Sequence, residues 1–440
     1  MPTGLSMEVL LALLAVPIAS VALWSVVRWP TVGLGAISLV ILAEFDIPAL
    51  PTLASFGGIG FSAADIIASL LLISAAFKRS RTIGDNRVRI AAAPYGLFYG
   101  AVVMLVLSAA RGVELHGTQA ALNEFRAWAY ILCIFVWCSV QFARGSFSSR
   151  AIESWLAFTA AGVVATAALR IATFGLGNAS SAVRSLTGEL LIAGRPITSG
   201  QAMVVATAGV LMLAKAMSGG GRLAATLSAV YLSTVIVAQH RSVWVAAFVG
   251  GMVVVIHHAG KALKAAIIVI PIAAVAFVVI IATGRFNPLF DLLNESATDS
   301  ATYDGRVFDW LTLIERNILA GYEVILMGQP FGAGWLRARE DGLLISYIPH
   351  NWYVSVGLRA GLVGLTLLVA WLVVVLLRTA QLRTSPPVVA VTLAIAVYAW
   401  AYNVNWYLAP VLAWATFLAS RRLSSEAQPR PTHPSQWAIH

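Results

Sequence analysis

Apolar runs close to the length of a bilayer crossing recur along the whole 440-residue chain, separated mostly by short polar gaps. The pattern predicts spans near 7–27, 31–46, 58–77, 91–110, 126–143, 152–174, 200–217, 223–240, 242–256, 265–283 and 352–377. A last apolar stretch, 388–420, is too long for one ordinary span, and Asn403, Asn405 and Trp406 interrupt its middle. It reads as two helices joined by a tight external turn. The expected fold is an all-α polytopic membrane protein of about 12–13 transmembrane helices. One interval breaks the rhythm: residues 284–350 form by far the longest polar stretch. No internal repeat of the kind that builds many transporters is visible.

Composition agrees with that class. The chain is 59% hydrophobic and 11% charged, against about 25% charged residues in soluble domains, and its mean hydropathy is +0.84. A net charge of +10 and a pI near 9.9 would suit nucleic acid, but the cations sit in short gaps between spans. They are Lys78-Arg79-Ser80-Arg81 with Arg87 and Arg89, Arg144 with Arg150, Lys215 with Arg222, Lys261 with Lys264, Arg378 with Arg383, and Arg421-Arg422. These gaps alternate with acidic or nearly neutral ones, as the positive-inside rule requires. The charge is therefore an orientation signal. It implies membrane lipids as neighbours and no nucleic-acid partner.

Fixing the basic gaps on the cytoplasmic side places 111–125, 175–199, 284–350 and the turn near Asn403 outside. The tail 424–440, with Pro429, Pro431 and Pro434, is expected inside and disordered. Strict alternation puts the N-terminus outside, in conflict with an even span count. The first apolar run begins near Met7 with no basic region before it and no small-residue cleavage site after it, so no cleaved leader is expected. Cys133 and Cys138 share one apolar run and read as small core residues.

Candidate chemistry gathers at the outer boundary. Arg126, Arg170, Arg241 and Arg359 stand at external span ends, and Arg306 lies in the long loop. An arginine at membrane depth is costly and usually faces a partner or an aqueous cavity. Snorkelling to the headgroups is an equal alternative for Arg126 and Arg359. Arg241 follows Gln239-His240 between two short apolar runs, and function is favoured there. His350 sits where the long loop meets the next apolar run, with Asn351 directly after it. Gly361 and Gly364, three apart, predict a smooth helix face that another helix or a lipid tail can approach.

These residue types narrow the reaction. Arginine forks bind phosphate bidentately and keep their charge, a departing pyrophosphate needs charge neutralisation, and an imidazole can take a proton from an attacking hydroxyl. Together they suit a transferase acting on a lipid-pyrophosphate donor. No metal or other cofactor is expected, because His350 has no second histidine at i+3 or i+4 and the loop carboxylates lack ligand spacing. His257-His258, beside Lys261, reads as a solvated boundary. Phe308, Trp310, Leu311 and Ile314 are spaced like a helix lying on an interface. The run Met327-Gly328-Gln329-Pro330-Phe331-Gly332-Ala333-Gly334 has two readings, a phosphate cradle or, favoured, a tight turn.

His350-Asn351, nine residues, Gly361, two residues and Gly364 resemble the signature of bacterial O-antigen ligases and their relatives. Arg241 after a span, Gly305-Arg306 followed by Trp310, and the 328–334 segment fall in that family's order. His240 precedes Arg241 where a small hydroxyl residue is expected. The resemblance covers about residues 200–377 and does not separate ligases from O-antigen or exopolysaccharide polymerases. It implies a GT-C-type, metal-independent inner-membrane glycosyltransferase with its active site facing the periplasm. It also implies an undecaprenyl-pyrophosphate-linked glycan as donor, and lipid A-core or another glycan as acceptor. By the same resemblance His350 is the general base and Arg241 and Arg306 neutralise the pyrophosphate, with Arg126, Arg170, Asn351 and Arg359 as candidate substrate contacts. The expected organisation is N-terminal helices over 1–199, a ligase-like catalytic region over 200–423 containing the periplasmic loop 284–350, and the tail. A lipid-linked sugar transporter is the alternative of another class, expected to show internal repeats, broken helices and midplane charges.

Overall fold

The computed structural model describes residues 7–44, 54–56, 59–77, 92–177, 183–184, 190–192, 194–260, 291, 293–294, 301–338, 344–346, 348–382 and 386–421. The basic run 78–89, Lys261, Lys264, Arg383 and Arg422 lie outside the described residues, as do the expected span 265–283, most of 284–300 and the tail 424–440.

The described chain is overwhelmingly helical. The helices are α1 (Met7–Arg28), α2 (Pro30–Ala43), α3 (Ala63–Phe77), α4 (Ala92–His116), α5 (Thr118–Ala143), α6 (Ser149–Phe174), α7 (Ser199–Met217), α8 (Gly221–Val237) and α9 (Arg241–His257). They continue with α10 (Ala301–Leu319), α11 (Tyr322–Met327), α12 (Trp352–Gln381), α13 (Pro386–Tyr398) and α14 (Ala409–Ser420). Three small antiparallel hairpins decorate the loops: Ala54–Phe56 with Ile59–Phe61, Val183–Arg184 with Leu190–Ile192, and Leu336–Ala338 with Leu344–Ser346.

Among the described residues, α4, α5, α6, α7 and α12 are long and apolar enough to cross a membrane. The pair α1–α2, bent by 118° at Trp29-Pro30, makes a sixth if it counts as one span. The chain is thus an all-α membrane protein, and among the described residues fewer helices than the 12–13 expected are full-length crossings. Part of the reason is length. Helices α3, α8, α9 and α13 have 13–17 residues, and at 1.5 Å per residue they fall short of a hydrocarbon core about 30 Å thick.

Two boundaries need correction. The expected external loop 111–125 is helical almost throughout: α4 runs to His116, α5 starts at Thr118, and Gly117 turns the chain with φ +84°. The expected span 58–77 opens as a hairpin and becomes helical only at Ala63. The stretch 388–420 does divide, into α13 and α14, with a turn over 399–408.

Helix α7 is apolar on every side and is buried on nearly every side, which makes it the post around which α6, α8, α9 and α13 pack. Its start is fixed by a capping box, Thr198 with Gln201. The fully buried Gln201 also donates through Nε2 to Ile41 O at 2.6 Å. The helices alternate in direction, so their ends form two faces. One face carries Arg28, Arg144, Arg150, Lys215, Arg222, Arg378 and Arg421, with Glu153 as the one acid among its described residues. At the other, cations mix with Glu44, Asp65, Glu124 and Asp309, and α10 and α11 fold over it.

Candidate functional site

The mixed-charge face holds a cavity of about 480 Å³ lined by Arg195, Arg241, Ser242, Val245, Arg306, Val397, Trp400, Ala401 and Tyr402. Four elements build it: the segment leading into α7, the first turns of α9, α10 with Arg306, and the end of α13 with the turn after it. Among the described residues no carboxylate lines it, and the N-terminus of α9 adds its own positive end. Such a lining favours a multiply charged anion, and the volume lies within the roughly 300–1,000 Å³ of small-ligand sites.

Each arginine is held from behind. Arg306 Nη1 donates to Ala401 O at 3.2 Å, and its guanidinium lies 4.9 Å from the centre of the Tyr402 ring. Arg241 opens α9 directly after Gln239, the only described non-glycine residue with positive φ (57°), and His240, which takes an extended conformation. Arg195 contacts His240 Nδ1 at 3.4 Å and lies beside Tyr402 in the cavity wall. Burial pushes the Arg195 pKa down, with Arg306 and Arg241 adding repulsion. Three like charges sharing one cavity are repulsive unless an anion joins them.

His350 stands against the same turn. Its ring meets Tyr402 edge-to-face with centroids 5.9 Å apart. The segment is pinned in place because Asn403 Nδ2 donates to Pro349 O at 2.9 Å and Trp352 N donates to Ala399 O at 2.9 Å. Burial, then Arg306 and Arg337, lower the His350 pKa to about 4, against a smaller opposing pull from Asp309. The imidazole is therefore neutral near pH 7. An anion beside Arg306 would offset part of that depression and make it a stronger base. Asp309 itself forms a buried ion pair with Arg337, 3.0 Å apart.

The other expected contacts are placed differently. Asn351 is fully buried, and its side-chain oxygen caps α12 by accepting from Val354 N at 3.0 Å. Arg359 is 1% exposed, ion-paired to Glu124 and stacked 3.8 Å from the Trp335 ring centre. Arg126 pairs with Asp65 at 3.4 Å and donates to Gly60 O at 2.7 Å. Arg170, buried, donates to Pro196 O at 3.0 Å and so shapes the segment carrying Arg195. None of the four lines the cavity, because each has a partner within the fold. The sequence reading missed Arg195 and Tyr402. The nearest signal for Arg195 was the Thr198-x-x-Gln201 capping motif three residues later, which marks a fixed segment.

The 328–334 run turns tightly, as its favoured reading had it. Gly328, Gly332 and Gly334 all have positive φ. Its amides are already occupied: Gln329 N on Leu358 O, Phe331 N on Ser108 O, and Gly332 N on the Glu124 carboxylate. These amides are not open to a phosphate. The face expected of 308–314 splits, with Trp310 and Leu313 buried and Phe308 and Leu311 exposed. Gly361, φ +66°, kinks α12, and the α11 backbone at Leu326–Met327 fills the space a side chain would need. The expected smooth face is thus a kink with a close backbone approach. His257 is exposed, Cys138 is buried and Cys133 partly so.

Comparison with family models, with curated proteins and with solved structures finds no match to this chain.

Proposed function

We propose that this protein is an inner-membrane glycosyltransferase that moves a glycan from undecaprenyl pyrophosphate to an acceptor hydroxyl on lipid A-core or another glycan. The observation carrying this reading is that Arg241 and Arg306 share one cavity with no carboxylate among its described lining residues, and that His350 packs against its Tyr402 wall. The acceptor oxygen bonds to the anomeric carbon while the carbon–oxygen bond to the pyrophosphate breaks. The hydroxyl proton goes to His350, and the lipid pyrophosphate leaves with both bonding electrons. Arg241 and Arg306 stabilise the charge that develops on it. The cavity accommodates the pyrophosphate and first sugar, while the lipid and the remaining glycan extend beyond it.

The cationic face lies at the far end of the bundle, which supports a periplasmic location for the cavity. Ligase and polymerase differ in acceptor alone. Transport draws support from the bend between α1 and α2, a broken helix of the sort transporters use. Against it, the arginines lie at one face rather than at the midplane.

The test is transfer by purified protein from a lipid-pyrophosphate glycan. Arg241→Lys and Arg306→Lys are each expected to lower it about 10- to 100-fold, since a charged hydrogen bond contributes about 1.5–3 kcal/mol and an ammonium cannot reproduce the fork. Wild-type rates in both variants would contradict bidentate recognition, and no transfer by the native protein would contradict the enzyme reading. In a deletion strain, loss of capped lipopolysaccharide identifies a ligase and shortened chains a polymerase.

A further inference from the structure

We infer that Arg195 is a third phosphate-binding guanidinium of this cavity and that His240 is the residue orienting it. The inference rests on the cavity binding a lipid pyrophosphate, as proposed above. It starts from hydrogen-bond direction. His240 Nε2 lies 2.9 Å from Ile197 O, and a carbonyl only accepts, so Nε2 carries the hydrogen. In a neutral ring Nδ1 is then a lone pair. Arg195 Nη1, which only donates, faces that lone pair at 3.4 Å. The two contacts specify one tautomer and one protonation state.

The environment enforces both. His240 is 5% exposed, and burial together with Arg195 lowers its pKa to about 3. Arg170 and the Thr198 capping box hold the backbone on either side of Ile197. Arg195 itself lines the cavity beside Tyr402, Arg241 and Arg306, so a guanidinium fixed by His240 faces any anion bound there. A histidine in the position before Arg241 therefore has a use that a small hydroxyl residue would not serve: it reaches the segment before α7 and aims a third arginine.

Two substitutions separate orientation from packing. In Asn, the side-chain oxygen falls where Nδ1 was, so His240→Asn keeps the acceptor for Arg195 and loses the Ile197 bond. In Gln, the amide reaches the Nε2 position, so His240→Gln keeps the Ile197 bond and loses the acceptor. The measurement is binding of farnesyl pyrophosphate to purified full-length protein by titration calorimetry, with the thermal midpoint of each variant recorded alongside. Arg195→Ala is expected to weaken binding about 10- to 100-fold. His240→Gln should weaken it by a similar factor, His240→Asn should restore it to within about threefold, and adding His240→Gln to Arg195→Ala should change nothing more.

Wild-type binding by Arg195→Ala overturns the third guanidinium. Equal weakening by His240→Asn and His240→Gln, or an additive loss in the double variant, overturns the orienting role. In either case a loss of binding in Arg241→Ala and Arg306→Ala leaves the proposed function standing. If those two also bind as well as wild type, the proposed function falls, and this inference with it.

Discussion

Arg306 and Arg359 sit at the same end of the bundle and both stack on an aromatic ring, yet the fold treats them in opposite ways. Arg359 is 1% exposed, and its donors are matched by Glu124, Gly334 O and Gln329. Arg306 is partly exposed, donates to one carbonyl among the described residues, and turns its charge to a cavity whose described lining holds no acid. Arg337, paired to Asp309, belongs with Arg359; Arg195 belongs with Arg306. What separates the groups is whether a carboxylate among the described residues already answers the guanidinium. One group holds the α10–α11 cover onto the bundle, and the other is available to an anion.

The sharpest way to break this contrast is to remove one member of each group. Arg359→Ala leaves Glu124 buried without its cation, and breaking a buried pair from one side costs about 3–5 kcal/mol. Arg306→Ala should change stability by less than about 1 kcal/mol. Thermal unfolding in detergent measures both, and equal midpoints would erase the distinction. Joint replacement, Arg359→Met with Glu124→Gln, should cost less than Arg359→Ala alone.

A second, smaller effect concerns how the cover is seated. Gly361→Ala places a side chain at positive φ against the α11 backbone, so a loss of about 1–3 kcal/mol is expected. Gly357→Ala, in the same helix at ordinary φ with its nearest neighbour 3.4 Å away, should be neutral or up to about 1 kcal/mol stabilising. Matching losses at the two positions would mean that the kink does not seat α11.

The smallest effect expected is on turnover against pH. The folded-state pKa of His350, about 4, lies below its ordinary 6.5. The unfolded chain therefore binds more protons between those values, and stability falls as pH drops from 6.5 toward 4. Turnover should stay flat between pH 8 and pH 6.5, where the imidazole is already neutral. A rise in rate across that window, with a midpoint near 6.5, would place His350 in a solvated setting instead.

Much of this was legible in the sequence, and the exceptions share a cause. Apolar runs located the helices, Asn403 and Asn405 divided the last stretch, and Arg241 and Arg306, far apart in the chain, do line one cavity. The loop expected over 111–125 failed because charges end a hydropathy window. Here Arg111, Glu124 and Arg126 ride on helices and find partners at the bundle end. Arg359 looked like a substrate contact because Glu124 is 235 residues away in sequence. Gly361 looked like part of a smooth helix face because spacing carries no sign of φ. Arg195, between Gly194 and Pro196, was missed because only the fold sets it against His240. Pairing across the chain decides these cases, and a residue pattern does not record it.

The central claim is that a neutral His350 takes the acceptor proton while the arginines hold the pyrophosphate. Asn351 caps α12, so His350 is not needed for that role. The direct measurement is glycan transfer by purified His350→Gln protein, with donor binding measured in parallel. Glutamine keeps a hydrogen-bonding group but cannot accept the proton. The account predicts donor binding close to wild type and transfer lowered about 10²–10⁴-fold. Near-normal transfer would contradict it and remove His350 as the base.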